Sequence, residues 1–180
     1  MMRELSLFSG AGGGLLATKH ILGWETLGYV EWDEYCQRVI AQRIEDRLLD
    51  RAPIFGDIRA FVSEGYAERY RGLVDVIAAG WPCQPHSCAG KRQGADDPRD
   101  MWGPTLDCLR TIKPRWFLGE NVPGLLSTDS GRYFGGVLRD LAEAGYDDVR
   151  WMVYGADDCG APHRRKRLWV VAHATGSDSR

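Results

Sequence analysis

Long hydrophobic runs are absent from this sequence. No stretch of about 18 apolar residues occurs, so nothing in it reads as a membrane-spanning helix, and Met1-Met2-Arg3-Glu4 lacks the charged-then-apolar order of a signal peptide. Cysteine is sparse: five in 180 residues, an odd number without repeated spacing, which argues against a disulfide framework and suits a reducing cytoplasm. Charge of one sign is missing too. A net charge of −2 argues against a generic basic coat for nucleic acid, although a local basic patch is what matters for docking on phosphate. These absences predict a soluble intracellular protein with no membrane contact, and the length suits one domain with a real core.

What is present alternates short apolar runs with amphipathic stretches, the pattern of an α/β protein. Glu4–Phe8 predicts a strand that turns through Ser9-Gly10-Ala11-Gly12-Gly13-Gly14 into a helix carrying Leu15, Leu16, Ala17 and Ile21. Glycines let the backbone approach a ligand, and a helix start offers free N–H groups to an anionic group. Alone, such a turn suits a nicotinamide dinucleotide equally well. Glu25–Glu31 predicts a second strand, with Asp33 capping a helix through Tyr35, Val39, Ile40 and Ile44. Glu31 lies about 20 residues past the glycines, where an acid can accept from ribose hydroxyls. Trp32 beside it is either a half-buried aromatic or a stacking surface for adenine. Ile54-Phe55 predicts a brief third strand ending at Gly56-Asp57-Ile58, and Phe61–Gly72 a helix.

The stretch around which the rest is organised is Ala78 to Gly94, AAGWPCQPHSCAGKRQG, which follows the apolar run Val74–Ala79. A loop leaving the carboxyl end of a buried strand is where α/β sheets place ligands and reactive groups. Pro82 and Pro85 stiffen the chain on either side of Cys83 and Gln84. A lone cysteine is usually a small buried hydrophobe. A zinc ion shared by Cys83, His86 and Cys88 would want a fourth ligand and a paired cluster, and none has the usual spacing. A thiol between two rigid points reads instead as a nucleophile.

Farther on, Asp96–Arg99 predicts a turn, and a helix runs from Pro104 through Leu106, Leu109 and Ile112. Arg115–Gly119 predicts a fifth strand with Glu120 at its end, which adjacent parallel strands would set beside Cys83. A carboxyl group there is expected to be poorly solvated, so that it could keep a proton near neutral pH. Phe134–Ala144 reads as an amphipathic helix, and Val149–Tyr154 and Arg167–Ala172 as strands. Between the last two lies Gly160-Ala161-Pro162-His163-Arg164-Arg165-Lys166-Arg167, the densest positive cluster in the chain. A charge run is most often a solvated face; next to Cys83 and Glu120 it becomes a loop for base and phosphate contacts.

The ordered set of these motifs resembles the DNA (cytosine-5)-methyltransferase family over nearly the whole chain. Leu7-Phe8-Ser9-Gly10-Ala11-Gly12-Gly13 is similar to the family's cofactor loop, Glu31-Trp32 to its ribose and adenine contacts, and Pro82-Cys83-Gln84-Pro85 with Ser87, Gly90 and Lys91 to its nucleophile loop. Glu120-Asn121-Val122 matches the proton-donor motif, and Arg165 and Arg167 match two substrate-loop arginines. His86 stands where the family usually has phenylalanine, and His163 where it has glutamine.

The resemblance implies a Rossmann-like S-adenosylmethionine-dependent methyltransferase fold, a mostly parallel central sheet with helices on both faces. It implies a cofactor site of Phe8, Gly10, Ala11, Gly12, Gly13, Glu31, Trp32, Asp57, Ile58 and Pro82. The catalytic groups would be Cys83, Glu120, Arg165 and Arg167, assisted by Gln84, Ser87 and Lys91 in the substrate loop, with no metal. The implied reaction moves a methyl group from S-adenosylmethionine to carbon 5 of a cytosine flipped out of double-stranded DNA, through a covalent Cys83 adduct, in a bacterial or phage-infected cell. Residues 1–173 would form the catalytic domain and 174–180 a polar tail or the start of a recognition region. Family members continue into a target-recognition domain and a last helix that closes the cofactor site. The chain is therefore expected to be part of a longer or split enzyme, with a second polypeptide as a possible partner; the alternative is a fragment that binds S-adenosylmethionine but is inactive alone. A nicotinamide-dependent oxidoreductase would use the glycines and Glu31 and leave Cys83, Glu120 and the arginines idle.

Overall fold

The computed structural model describes residues 1–82 and 100–177. Seven strands form one sheet in the order β3-β2-β1-β4-β5-β7-β6: β1 (Arg3–Leu7), β2 (Glu25–Val30), β3 (Ile54–Phe55), β4 (Val76–Ala79), β5 (Trp116–Asn121), β6 (Asp148–Tyr154) and β7 (Arg167–His173). The first five run parallel, and β7 lies antiparallel between β5 and β6. This is the expected Rossmann-like α/β fold. Among the described residues no helix is long and apolar enough to cross a membrane.

Five helices flank the sheet: α1 (Gly13–His20), α2 (Glu34–Glu45), α3 (Ile58–Ser63), α4 (Trp102–Ile112) and α5 (Arg132–Glu143). The main core joins Ile58 and Phe61 of α3, Leu106 and Leu109 of α4, and Val137 and Leu141 of α5 to Leu5, Ile77, Phe117 and Val170 on one sheet face. A smaller cluster on the other face holds Leu15 of α1, Ile40 of α2 and Tyr29. Side chains alternate along a strand, so that same face carries Trp169 and Val171 on β7 and Met152 and Tyr154 on β6. All four are open to solvent, at 39 to 54% exposure. The α1–α2 layer thus covers only part of its face.

Capping chemistry sets the boundaries. Asp33 is extended and its carboxylate accepts the Cys36 N–H at 2.8 Å, starting α2 as expected. α4 ends at Lys113, left-handed at φ +54°, ahead of Pro114. The single helix expected over Phe61–Gly72 is instead α3, a left-handed turn at Gly65 (φ +77°) and a 3-10 turn over Ala67–Tyr70. The break folds Tyr66 and Tyr70 back onto Phe55, with ring centroids 5.3 and 6.2 Å away. That aromatic packing overrides the local helical period. α4 also begins two residues before Pro104, leaving the proline in the first turn, where its missing N–H costs nothing.

Glu4 on β1 is 1% exposed, and its Oε2 accepts from the hydroxyls of Thr18 (2.7 Å) and Thr26 (3.3 Å). Burial raises the carboxyl pKa from its ordinary 4.5, against the pull of those two hydrogen bonds. A pKa raised on folding stabilises at low pH, and the contribution is lost as pH climbs through the folded value. Glu4→Gln is therefore expected to gain stability over the unsubstituted chain at pH 8 relative to pH 4. Urea midpoints at the two pH values check this; equal differences at both would remove Glu4 as the titrating group.

Candidate active site

Chain order and sheet order part company between β1 and β4: the chain builds β2 and β3 outward on one side, then crosses back to β4 and β5 on the other. Such a switch point opens a crevice beyond the carboxyl ends of the strands. The loops after β1, β2 and β4 meet there, carrying Phe8 to Gly12, Glu31-Trp32 and Gly80 to Pro82, beside Glu120 near the end of β5.

The expected cofactor residues can be followed one by one. Phe8 (φ +55°), Gly10 (φ +55°) and Gly12 (φ +87°) are left-handed, and a β-carbon added at Gly10 or Gly13 would meet no heavy atom within 4 Å. The loop thus forms a cradle with open backbone. Glu31 is 9% exposed; its Oε2 accepts the Gly10 N–H at 2.6 Å and its Oε1 the Asp33 N–H at 2.8 Å, tying the first crevice loop to the second. Trp32 stands outward at 73% exposure, free to stack. Asp57 caps α3 by accepting the Arg59 N–H at 2.9 Å. Ile58 is 3% exposed within the main core, Ala11 is exposed, and Pro82 lies exposed at the last described position before the gap. A carboxylate, an open glycine backbone and an uncovered indole gathered at a switch point suit an adenosine-bearing ligand.

Cys83, Gln84, Ser87 and Lys91, the alternative ligands His86 and Cys88, and the Asp96–Arg99 turn lie outside the described residues. What surrounds the start of that segment is described. The register Ala79↔Gly119 sets Gly80 beside Glu120, and a β-carbon built on Gly80 would lie 3.2 Å from Glu120 Oε2. The described residues bring Glu120 against Gly80, three residues before Cys83.

Strand alternation explains the next contact. Glu120 pairs with Trp169 across β5 and β7, and Arg167, two residues earlier on β7, is its diagonal neighbour on the same face. Arg167 Nε lies 2.7 Å from Glu120 Oε1 in an ion pair, with the two side chains 23% and 32% exposed. The site expected for Glu120 to be poorly solvated is thus a partly open ion pair, because the antiparallel β7 brings an arginine against it. At such exposure the pair is worth about 1 kcal/mol or less to stability, so its effect is orientation. Arg165 lines the same pocket, a groove of about 710 Å³ between α1 and the uncovered sheet face, whose mouth holds Glu120 and Arg167 and whose wall includes Phe8, Ser9 and Gly13. The groove does not reach Glu31, Trp32, Asp57 or Ile58. The groove therefore meets the loops that bear Glu31 and Trp32 only through the stretch from Phe8 to Gly13.

The residue sequence reasoning left without a task is Asn121. Alternation turns it away from Glu120 into the interior, where it is 3% exposed; its Nδ2 donates to the carbonyl of Trp81 at 3.2 Å and its Oδ1 accepts the Val122 N–H at 2.8 Å. It fixes the backbone two residues before Cys83. The one available signal was a polar residue at an inward strand position. Gly119 is needed beside it: a β-carbon there would sit 2.8 Å from Trp81 Cζ3 and 2.9 Å from Phe117 Cε1. Since both rings are buried, Gly119→Ala is expected to cost about 1–3 kcal/mol of stability by overpacking, read as a lower urea midpoint. An unchanged midpoint would mean the rings have room to shift.

The C-5 cytosine-specific DNA methylase family model matches residues 2–180. Type II methyltransferase M.NgoBI of Neisseria gonorrhoeae is 34% identical over 95% of this chain and 50% of its own length. Type II methyltransferase M.AquIA of Picosynechococcus is 32% identical over 96% of this chain and 72% of its own length. Among solved structures, Spodoptera frugiperda DNMT2 superposes with a TM-score of 0.76 over 99% of this chain and 51% of that one, at 21% identity, a likeness of fold alone. The chain spans about half the length of several curated relatives it matches.

Proposed function

The chain belongs to the C-5 cytosine-specific DNA methylase family, and we propose that it carries the catalytic half-site for methylating carbon 5 of cytosine in double-stranded DNA. The observation that carries this reading is the Glu120–Arg167 pair set beside Gly80, three residues before Cys83. A proton donor and a fixed positive charge stand together at the mouth of a groove, next to the start of the segment that bears the nucleophile.

Carbon 5 of cytosine is too weak a nucleophile to take a methyl group unaided, and covalent addition solves this. In the proposed scheme the Cys83 thiolate forms a bond to C6 while Glu120 gives a hydrogen bond or proton to N3, so the electron pair of the C5–C6 bond is placed on C5. S-adenosylmethionine, held by the Phe8–Gly13 cradle, Glu31 and Trp32, supplies the methyl group as a sulfonium electrophile. Loss of the C5 proton then restores the double bond and expels Cys83 as thiolate. Arg165 and Arg167 hold the base edge and favour the thiolate. Because C6 is stacked inside a duplex, the base must be flipped into the pocket.

The test is trapping. The purified chain is incubated with S-adenosylmethionine and duplex DNA containing 5-fluorocytosine, whose fluorine blocks the final elimination, and peptide mass spectrometry looks for DNA attached to Cys83. An adduct is the expected result. No adduct, with S-adenosylmethionine still bound, would favour the second reading, a cofactor-binding fragment that is inactive alone. Tighter binding of NAD than of S-adenosylmethionine would overturn both.

A further inference from the structure

Two tryptophans flank the segment 83–99 in sequence, and they meet in space. Trp81 and Trp102, 2% and 6% exposed, have ring centroids 5.3 Å apart, and each lies 6.2 Å from Phe117. They are held from opposite sides. β5 holds Trp81 through Asn121 and the bare backbone of Gly119. α5 holds Trp102: its Nε1 donates to Asp140 Oδ2 at 2.9 Å, and its N–H donates to Asp100, whose carboxylate also accepts from the Tyr133 hydroxyl at 2.7 and 2.9 Å.

We propose that this pair is a staple across the base of the nucleophile segment, and that Tyr133 and Asp140 of α5 are positioning residues for Cys83. The inference rests on the proposed role of Cys83 and adds to it two residues of α5. Trp81 Nε1 is buried with no hydrogen-bond partner among the described residues, so none of their polar groups locates that ring. Packing against Trp102 and Phe117 sets it, and the hydrogen bonds to α5 set Trp102. From Trp81 to Cys83 there is one residue, Pro82, whose ring fixes φ and leaves little slack. A shift of α5 against α4 therefore reaches the thiol, and a misplacement near 1 Å can cost about 100-fold in rate.

The experiment uses the full chain with Tyr133→Phe, Asp140→Leu and Asp140→Asn, the last keeping an oxygen acceptor for Trp102 Nε1. Three quantities are read: the rate of Cys83 attachment to 5-fluorocytosine duplex, the S-adenosylmethionine affinity, and Cys83 alkylation by iodoacetamide relative to the exposed Cys159 as internal reference. Tyr133→Phe and Asp140→Leu are expected to slow attachment by about tenfold or more with cofactor affinity unchanged, and Asp140→Asn to restore the rate. Unchanged attachment overturns the staple, and so does a parallel loss of cofactor affinity, which would be general loosening. If the unsubstituted chain attaches no DNA, the reading of its reaction fails separately, and alkylation decides: a changed Cys83-to-Cys159 ratio in the two disruptive variants supports the staple, and an unchanged one overturns it.

Discussion

Cys83→Ser is expected to abolish methyl transfer, a fall of about three orders of magnitude or more, while S-adenosylmethionine binds as before. The nucleophile in the proposed scheme is a thiolate, which a thiol near its ordinary pKa already supplies in part at neutral pH and which a neighbouring cation increases. A serine hydroxyl offers almost no alkoxide under the same conditions and needs a dedicated base to be activated. Among the described groups around the start of the segment, Glu120 is already engaged by Arg167. Single-turnover transfer of a labelled methyl group, with cofactor binding measured by calorimetry, separates the two steps. Turnover near the unsubstituted rate would sink the covalent scheme; loss of both turnover and binding would mean that the substitution disturbed the crevice.

The second large effect is expected at Glu120. Glu120→Gln keeps the size of the side chain and an oxygen for Arg167 Nε, but removes the acid. General acid–base catalysis typically contributes about 10²–10⁴ in rate, and a loss of that order is expected in the rate of Cys83 attachment to 5-fluorocytosine duplex. Arg167→Ala acts on the same pair from the other side, freeing the carboxylate and removing a positive charge from the groove mouth, and is expected to cost about 10²-fold, as the loss of one fixed electrostatic donor does. Because the two groups work as a unit, the double substitution is expected to cost far less than the product of the single losses. Additive losses would separate Arg167 from the function of Glu120. The fold should tolerate both changes, since a partly exposed ion pair contributes little to stability.

Much of this was legible in order along the chain, because strand ends and helix starts are written locally. Short apolar runs marked β1, β2, β4 and β5, Asp33 marked the start of α2, and glycines marked the turn after β1. The helix expected over Phe61–Gly72 failed where contacts distant in sequence decide: Phe55 draws Tyr66 and Tyr70 back, and Gly65 turns the chain to meet it. Asn121 was visible only as part of a motif, because its task depends on the Trp81 carbonyl 40 residues away. Nothing in the sequence joins Trp81 to Trp102, whose rings meet across the segment between them.

The sequence by itself determined the class of fold, the order of its reactive groups and their membership in one catalytic family, since each motif is written locally in residue type and the motifs' order along the chain points to the family. Only the tertiary structure decided that Glu120 sits in an ion pair, because that required an antiparallel β7 inserted beside β5. It alone decided that the two ends of the nucleophile segment are clamped by one aromatic contact, because packing and burial join residues whose separation along the chain carries no local signal.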